Sequence, residues 1–202
     1  VKRIPVAAGL AGGSSNAASF MCALNEIFSL NLDKKTLQNL SLKFGSDIPF
    51  FFENSAAIIK GRGEKVTQFP HFAPISALLI NPKIHLSTKE IFTNFNANYS
   101  PEIATEKLLQ KNVLTLMKDL ENDLEAPAIT SASAILEIIK NMKNCGAKIA
   151  KMSGSGSSCF AIFESEKDFE NADIFFHKNF PNYFCKKIKI LSQKMDPATS
   201  AG

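Results

Sequence analysis

The residues most able to do chemistry lie at the start of the chain, in Pro5-Val6-Ala7-Ala8-Gly9-Leu10-Ala11-Gly12-Gly13-Ser14-Ser15-Asn16-Ala17-Ala18. Glycine and serine crowd this stretch, and a run rich in Ala, Leu and Met, without Gly or Pro, follows at once. Glycine lets the backbone approach a ligand closely and adopt positive φ. A helix start leaves N–H groups without intrahelical partners, backed by the positive end of the helix dipole. A glycine-rich loop opening into a helix is therefore an anion site, most often for phosphate. A flexible linker is the plain alternative, but linkers seldom interrupt Gly with Leu and run straight into an apolar helix.

Two common phosphate fingerprints do not fit. No Lys follows Gly13, as a P-loop requires. Asp33 lies at roughly the distance of a ribose-binding acid, yet Leu32-Asp33-Lys34-Lys35 reads better as a helix cap.

A second Gly/Ser run appears late, Met152-Ser153-Gly154-Ser155-Gly156-Ser157-Ser158, between two apolar stretches. A tight hairpin needs only about two to five loop residues with one or two turn formers. The excess suggests a second backbone cradle that closes on the first, with a floppy hairpin as the alternative. Asp47 is the best candidate for a catalytic carboxylate. It follows Gly45, precedes Ile48-Pro49 and leads into Phe50-Phe51-Phe52, a run able to exclude water. Ser46 and Pro49 at cap-like spacing make an N-cap role for Asp47 an equal reading.

These residues need elements to hold them. Ser15 to Phe28 has the spacing of a largely buried helix. Asp33 caps a second helix with Leu37, Leu40 and Phe44 on one face and Gly45 as its C-terminal stop. Ala56–Lys60 and Lys65–Phe69 form a hairpin through Gly61-Arg62-Gly63-Glu64. Phe69-Pro70-His71-Phe72-Ala73-Pro74 has no period, and a domain boundary is placed there, between residues 1–73 and 74–202. Ser76–Asn81 reads as a buried strand. Ser87-Thr88-Lys89-Glu90 is a capping box for a short helix through Phe95. Ser100-Pro101 opens another helical stretch, and Ser131–Met142 is a helix ended by Gly146. Lys148–Met152 and Cys159–Phe163 are strands, Asp168–His177 a helix and Tyr183–Leu191 a last strand. That order is the split βαβ, or ferredoxin-like, pattern. The tail from Pro197 to Gly202 is expected to be disordered.

Composition narrows the classes. The 202 residues are 45% hydrophobic and can bury a core. A net charge of +4 suits an anionic ligand but does not argue for nucleic acid. Lys186-Lys187-Ile188-Lys189 is the one basic cluster, and its alternation reads as an exposed strand face rather than an RNA surface. Cys22, Cys145, Cys159 and Cys185 have no C-x-x-C spacing and read as buried free thiols in a reducing, cytoplasmic setting. His71, His85 and His177 likewise lack ligand spacing. No run is long enough to span a membrane, and no secretory signal is present.

Together these residues resemble the GHMP kinase superfamily. Pro5 to Ser15 is similar to its phosphate loop, with one extra glycine, and Lys151-Met152-Ser153-Gly154-Ser155-Gly156 to its late glycine loop. Lys2-Arg3-Ile4-Pro5, Phe44-Gly45-Ser46-Asp47-Ile48-Pro49-Phe50-Phe51 and Gly61-Arg62-Gly63-Glu64 bring the resemblance closest to the kinases of 4-diphosphocytidyl-2-C-methyl-D-erythritol. The resemblance implies an α+β, two-domain GHMP kinase architecture. Its parts are the remainder of a ribosomal-protein-S5-domain-2-like N-terminal domain and a ferredoxin-like C-terminal domain. It implies ATP with Mg²⁺, no metal ligand being assigned in the chain, and transfer of the γ-phosphoryl to the C2 hydroxyl of the cytidine diphosphate substrate in non-mevalonate isoprenoid biosynthesis.

Carried over residue by residue, the resemblance puts ATP phosphates at Gly9, Leu10, Ala11, Gly12, Gly13, Ser14, Ser15 and Asn16, supported by Gly154, Ser155 and Gly156. Asp47 becomes the catalytic carboxylate beside the substrate hydroxyl. Lys2 reaches toward the substrate, and Thr88 and Phe92 lie near the cytidine, with Phe92 as a stacking face. The partner is a small molecule, not nucleic acid or membrane, and the enzyme a monomer or homodimer. A family segment carrying a catalytic lysine is expected ahead of Val1. Without it, these residues would expose a sheet edge and apolar surface and be inactive. The alternatives are another small-molecule kinase of the superfamily, of homoserine or mevalonate type, and an inactive fragment or binding module.

Overall fold

The computed structural model describes residues 4–6, 8–53, 55–95 and 99–193. The chain divides into two compact units, one grouping Ala11–Pro74 with Leu191–Gly202, the other Val1–Leu10 with Ile75–Ile190. The main division thus falls one residue beyond the 73/74 boundary of the sequence reading, and each unit also takes a terminal piece of the chain. Lys2 and the tail from Pro197 lie outside the described residues.

In the unit that begins at Ala11, helix α1 spans Gly12–Ile27. It starts three residues before the expected Ser15. Ala11 takes a left-handed conformation (φ 48°, ψ 27°), and Ser15 N–H makes the first helical bond to the Ala11 carbonyl at 3.0 Å. Asn25 clamps the far end, donating to the Leu32 carbonyl at 3.1 Å and accepting from Leu32 N–H at 3.0 Å. Helix α2, Lys34–Ser41, is capped by the Asp33 carboxylate, which accepts from Thr36 N–H at 2.7 Å. Asp33 is therefore a cap, as its sequence context indicates.

Gly45 does not stop α2 in a left-handed conformation. The helix ends at Ser41, and the chain turns directly into a 3-10 helix, Ile48–Phe52. That earlier end leaves Phe44 exposed rather than in the expected apolar stripe. Ala18, Leu37, Ile48 and Phe52 form the local core. Only Ala18 of α1 is buried, and Phe20, Ile27 and Phe28 are exposed, so α1 is not the largely buried helix its composition suggests. Among the described residues of this unit, α2 and the 3-10 helix pack against one side of it. Strands β1 (Ala57–Lys60) and β2 (Lys65–Gln68) pair antiparallel, with Lys60 opposite Lys65.

The other unit is built on a four-stranded antiparallel sheet of β3 (Ile75–Asn81), β4 (Ile149–Met152), β5 (Cys159–Ile162) and β6 (Phe184–Ile190), in the spatial order β4-β5-β3-β6. This is the split βαβ order read from the sequence. One face packs against α7 (Ala134–Asn144) through Ile135, Ile138 and Met142, and against α8 (Glu166–Asn179) through Phe169, Ala172 and Phe176. The smaller apolar cluster of Ala77, Ile149 and Ile162 also takes in Met117.

Between β3 and α7 the sequence reading was coarser than the structure. Helix α3 is Thr88–Thr93, with the Ser87 hydroxyl accepting from Glu90 N–H. Ser100-Pro101 opens no helix. Ser100 instead binds the Asp123 carboxylate through its N–H and its hydroxyl, an arrangement that competes with helical bonding. Helices α4 (Thr105–Leu109), α5 (Val113–Asp119) and α6 (Glu125–Ser131) follow. The expected Ser131–Met142 helix is α7, which starts three residues later, at Ala134, because Ala132, extended at φ −149°, separates it from α6. No described helix is long and apolar enough to cross a membrane.

Candidate functional site

The early glycine loop is tied to the late one. Gly9 sits at φ 69°, and a Cβ placed on it would lie 2.1 Å from the Ser153 carbonyl oxygen and 2.8 Å from the Gly156 nitrogen. Only glycine fits. The Ser153 hydroxyl donates to the Gly9 carbonyl at 2.9 Å, and Ser158 N–H to the Ala8 carbonyl at 3.2 Å. The contact runs both ways, since a Cβ on Gly154 (φ 53°) would meet the Gly9 carbonyl at 2.9 Å.

The late loop is not floppy. Asn81 ends β3 buried, donating to the hydroxyls of Ser157 and Ser158 at 3.3 and 3.0 Å. Ser157 donates onward to the Ile84 carbonyl at 2.6 Å. Asn122 donates to the Gly154 and Met152 carbonyls at 2.8 and 3.2 Å, and Glu125 accepts from Met152 N–H at 2.9 Å. The hydroxyls of Thr88 and Ser155 lie 2.9 Å apart. Each bond satisfies a polar group the turn would otherwise leave to water, and together they fix the loop in one shape.

Asn81, Asn122, Glu125 and Lys151 were not singled out as site residues from the sequence. Asn81 carried a signal, a lone amide closing an apolar strand. Asn122 and Glu125 act across about thirty residues of sequence, where no local pattern reaches. Lys151 ends up half-buried, its ammonium donating to the Lys118 and Leu120 carbonyls at the C-terminus of α5, where a cation is favoured. Burial pulls its pKa below the usual lysine value, against the opposing pull of Glu121, Glu125 and Asp119.

Beside this loop lies an open groove of about 510 Å³, lined by Phe92, Phe95, Tyr99, Asn122, Lys151 and Gly154 among others. Phe92 is 54% exposed, and the Phe95 and Tyr99 rings meet edge to face at 4.9 Å. Thr88 and Phe92 are therefore both close to the late loop, Thr88 by direct contact and Phe92 across the groove.

In the other unit, Gly12, Gly13 and Ser14 form the first turn of α1, with no acidic side chain among them. Their N–H groups precede the first intrahelical bond, made by Ser15, and have no helical acceptor. Among the described residues, apart from their chain neighbours and the helix's own backbone, nothing lies within 4 Å of where a Cβ on Gly12 or Gly13 would be. The turn is open to a ligand, and its charge suits an anion.

Asp47 precedes the 3-10 helix as its N-cap but makes no side-chain cap hydrogen bond. Buried Ile48 and Pro49 anchor its backbone while the carboxylate stays exposed. The cap reading thus holds for its position and not for its side chain. The β1–β2 turn packs close behind. A Cβ on Gly63 (φ 100°) would lie 1.9 Å from the Ser46 carbonyl oxygen, so glycine is required there. Lys43, Ser46, Arg62 and Glu64 share a cavity of about 310 Å³ with Leu42. The Glu64 carboxylate accepts from its own N–H and that of Arg62, which hold it below the usual carboxylate range.

Known proteins resemble the chain in sequence and in fold. Residues 1–54 match the model of the GHMP kinases N terminal domain, and residues 104–181 that of the GHMP kinases C terminal domain. A 4-diphosphocytidyl-2-C-methyl-D-erythritol kinase of Acetivibrio thermocellus is 37% identical over 83% of the chain and 61% of its own length. One from Thermodesulfovibrio yellowstonii is 34% identical over 96% of the chain and 70% of its own length. The chain thus spans about three fifths to seven tenths of these relatives. A crystal structure of 4-(cytidine 5'-diphospho)-2C-methyl-D-erythritol kinase superposes with a TM-score of 0.72, at 28% identity, over 92% of the chain and 68% of that protein. A homoserine kinase from Cytophaga hutchinsonii shares the fold at a TM-score of 0.71 and 16% identity, over 96% of the chain and 69% of that protein. By sequence and by fold, the chain belongs to the GHMP kinase family, among the relatives named 4-diphosphocytidyl-2-C-methyl-D-erythritol kinase.

Proposed function

We propose that the protein transfers the γ-phosphoryl of ATP to the C2 hydroxyl of 4-diphosphocytidyl-2-C-methyl-D-erythritol, as the names of its relatives suggest. The observation that carries this reading is the open first turn of α1, three N–H donors with no acid among them, entered through a loop in which Gly9 admits no side chain. Phosphoryl transfer asks for positioning and charge neutralisation more than for covalent chemistry. Gly9, Leu10, Ala11, Gly12, Gly13, Ser14, Ser15 and Asn16 would hold the ATP phosphates. Gly154, Ser155 and Gly156 would act indirectly, keeping the entrance to that loop in shape.

Asp47 is the residue assigned to the acceptor hydroxyl. As the hydroxyl oxygen bonds to the γ-phosphorus and the bond to the β-bridging oxygen breaks, its proton passes toward the Asp47 carboxylate. That carboxylate is uncommitted to capping and held on a rigid turn. Phe92 offers an exposed ring to the cytosine, and Thr88 a hydroxyl beside it. Mg²⁺ would travel with the ATP phosphates and neutralise charge there; no residue of the chain is assigned to it. Lys2 remains a candidate substrate contact from the sequence alone. A reducing cytoplasmic setting and a small-molecule partner complete the reading.

The test is a phosphorus NMR assay of the protein, with the family segment expected ahead of Val1 included, against ATP, Mg²⁺ and each of three acceptors: the cytidine diphosphate substrate, homoserine and mevalonate. Turnover of the first alone is expected. Turnover of another acceptor would reassign the substrate. Hydrogen exchange adds a direct view of the loop. ATP should slow exchange at Gly12, Gly13 and Ser14, and unchanged exchange there would remove the phosphate assignment even if ATP were consumed.

A further inference from the structure

A cluster of possible metal donors lies on the unit built around the four-stranded sheet. Asp173 and His177 stand one turn apart on α8, and Cys185 faces them from β6. The Asp173 Oδ1 atom is 3.2 Å from His177 Nδ1 and 3.5 Å from Cys185 Sγ, and the three donor atoms all lie within 4.8 Å of one another. With zinc bonds of about 2.0–2.3 Å to N, O and S, tetrahedral donors stand about 3.3–3.6 Å apart. Two of the three separations match that spacing, and the third, between His177 Nδ1 and Cys185 Sγ, is within 4.8 Å.

We propose that Asp173, His177 and Cys185 form a binding site for zinc or a similar borderline-soft divalent ion, with water as the fourth ligand. The donor set argues for that class of metal. A thiolate, an imidazole and a carboxylate together suit Zn²⁺ and disfavour Mg²⁺ and Ca²⁺, which take oxygen ligands. Access is available. His177 is an exposed side chain, while Asp173 and Cys185 are partly buried and so held in place. The structural effect would be a clamp. Among the described residues β6 is an edge strand, paired with β3, and the ion would tie it to α8.

Two groups compete with the ion. The Lys187 ammonium lies 3.5 Å from Asp173 Oδ2 and 2.6 Å from Glu170 Oε1. It can be held by Glu170 when the ion takes Asp173. The proton of Cys185 is the other competitor. Burial first, then the Asp173 charge, push this thiol up to about 12. Zinc binding therefore releases the thiol proton to solvent as the Zn–S bond forms, and affinity rises with pH. His177 Nδ1 is also 2.9 Å from the Asp173 carbonyl, an acceptor that favours a proton on Nδ1, so metal binding moves that proton to Nε2 and gives up this bond.

The experiment uses the whole chain carrying Cys22→Ser, which removes the one exposed thiol. Zn²⁺ is titrated against a chromophoric chelator, and Co²⁺ is added separately as a spectroscopic probe. One ion per chain is expected, with a thiolate-to-cobalt charge-transfer band and an upward shift of the thermal midpoint in zinc. His177→Gln, on an exposed side chain, should weaken zinc at least tenfold without unfolding the protein. Cys185→Ser should abolish the charge-transfer band, and Lys187→Gln should tighten binding severalfold. Absence of a saturable site, or zinc binding unmoved by both His177→Gln and Cys185→Ser, would overturn the proposal.

Discussion

The Ser153 hydroxyl donates to the Gly9 carbonyl at 2.9 Å, joining two glycine loops separated by 144 residues of sequence. Gly9 answers by having no side chain, because a Cβ there would lie 2.1 Å from the Ser153 carbonyl oxygen. The two residues make different predictions. Ser153→Ala removes one hydrogen bond, worth about 1 kcal/mol net, and should raise the KM for ATP by a few fold with kcat little changed. Gly9→Ala adds both a clash and the left-handed penalty of about 1–2 kcal/mol, and should lower stability and abolish most activity. Steady-state kinetics and thermal unfolding separate the two. Equal effects from both variants would mean that the loops do not depend on close approach at Gly9.

Asp47→Asn keeps the shape of the turn, because Ile48 and Pro49 hold the backbone and the side chain makes no cap bond. General-base assistance is typically worth about 10²–10⁴ in rate. The variant should lose at least about a hundredfold in kcat by that measure, with the KM for ATP and the thermal midpoint near wild type. A folded variant with near-normal turnover would leave Asp47 with only its place before the 3-10 helix.

How far the sequence reaches can be judged from such residues. The Asp33 cap and the split βαβ order are local or periodic patterns, and they stand in the structure as read. Helix α1 was misjudged at its start because Ala11, not a glycine, takes the left-handed turn, so Gly12 and Gly13 fall inside the helix. Pro101 was misread because Asp123, from far along the chain, captures Ser100. The same limit hid Asn122 and Glu125, whose partners in the late loop are brought near only by folding. Asp47 was visible as a candidate, but its free carboxylate was not, since cap-like spacing does not tell whether the cap bond is made.

Phe92→Ala tests the groove. The ring is exposed on α3, next to the late loop, so its removal costs the fold little. A stacked base contributes roughly 1–3 kcal/mol by alanine substitution. The KM for the cytidine substrate should rise about 5- to 150-fold on that scale, and the KM for ATP should hardly move. Isothermal titration with the substrate, in the absence of ATP, gives the same comparison without turnover. Parallel losses for both ligands, with a lowered thermal midpoint, would make Phe92 a structural residue.

Glu53 offers a prediction on stability and pH in the unit that carries Asp47. Its side chain is 9% exposed and receives Lys34 at 2.9 Å, Gln38 at 2.9 Å and Gln68 at 3.0 Å, tying α2 and β2 to the end of the 3-10 helix. Burial pushes this carboxyl upward, but the hydrogen bonds from Lys34, Gln68 and Gln38 outweigh it and hold the pKa below the usual carboxylate value. A depressed acid stabilises the fold above its unfolded pKa, and that contribution is lost as pH falls through the folded value. Glu53 should therefore contribute fully at neutral pH and progressively less below about pH 4.3, the ordinary glutamate value. Glu53→Gln should cost about 1.5–3 kcal/mol at pH 7, the range for hydrogen bonds to a charged group. The variant should also show a shallower loss of stability between about pH 5 and pH 2 than the parent. Urea unfolding at a series of pH values measures both effects. A variant that tracks the parent in parallel at every pH would show that the Glu53 charge does not hold this corner of the fold, and that its packing alone does.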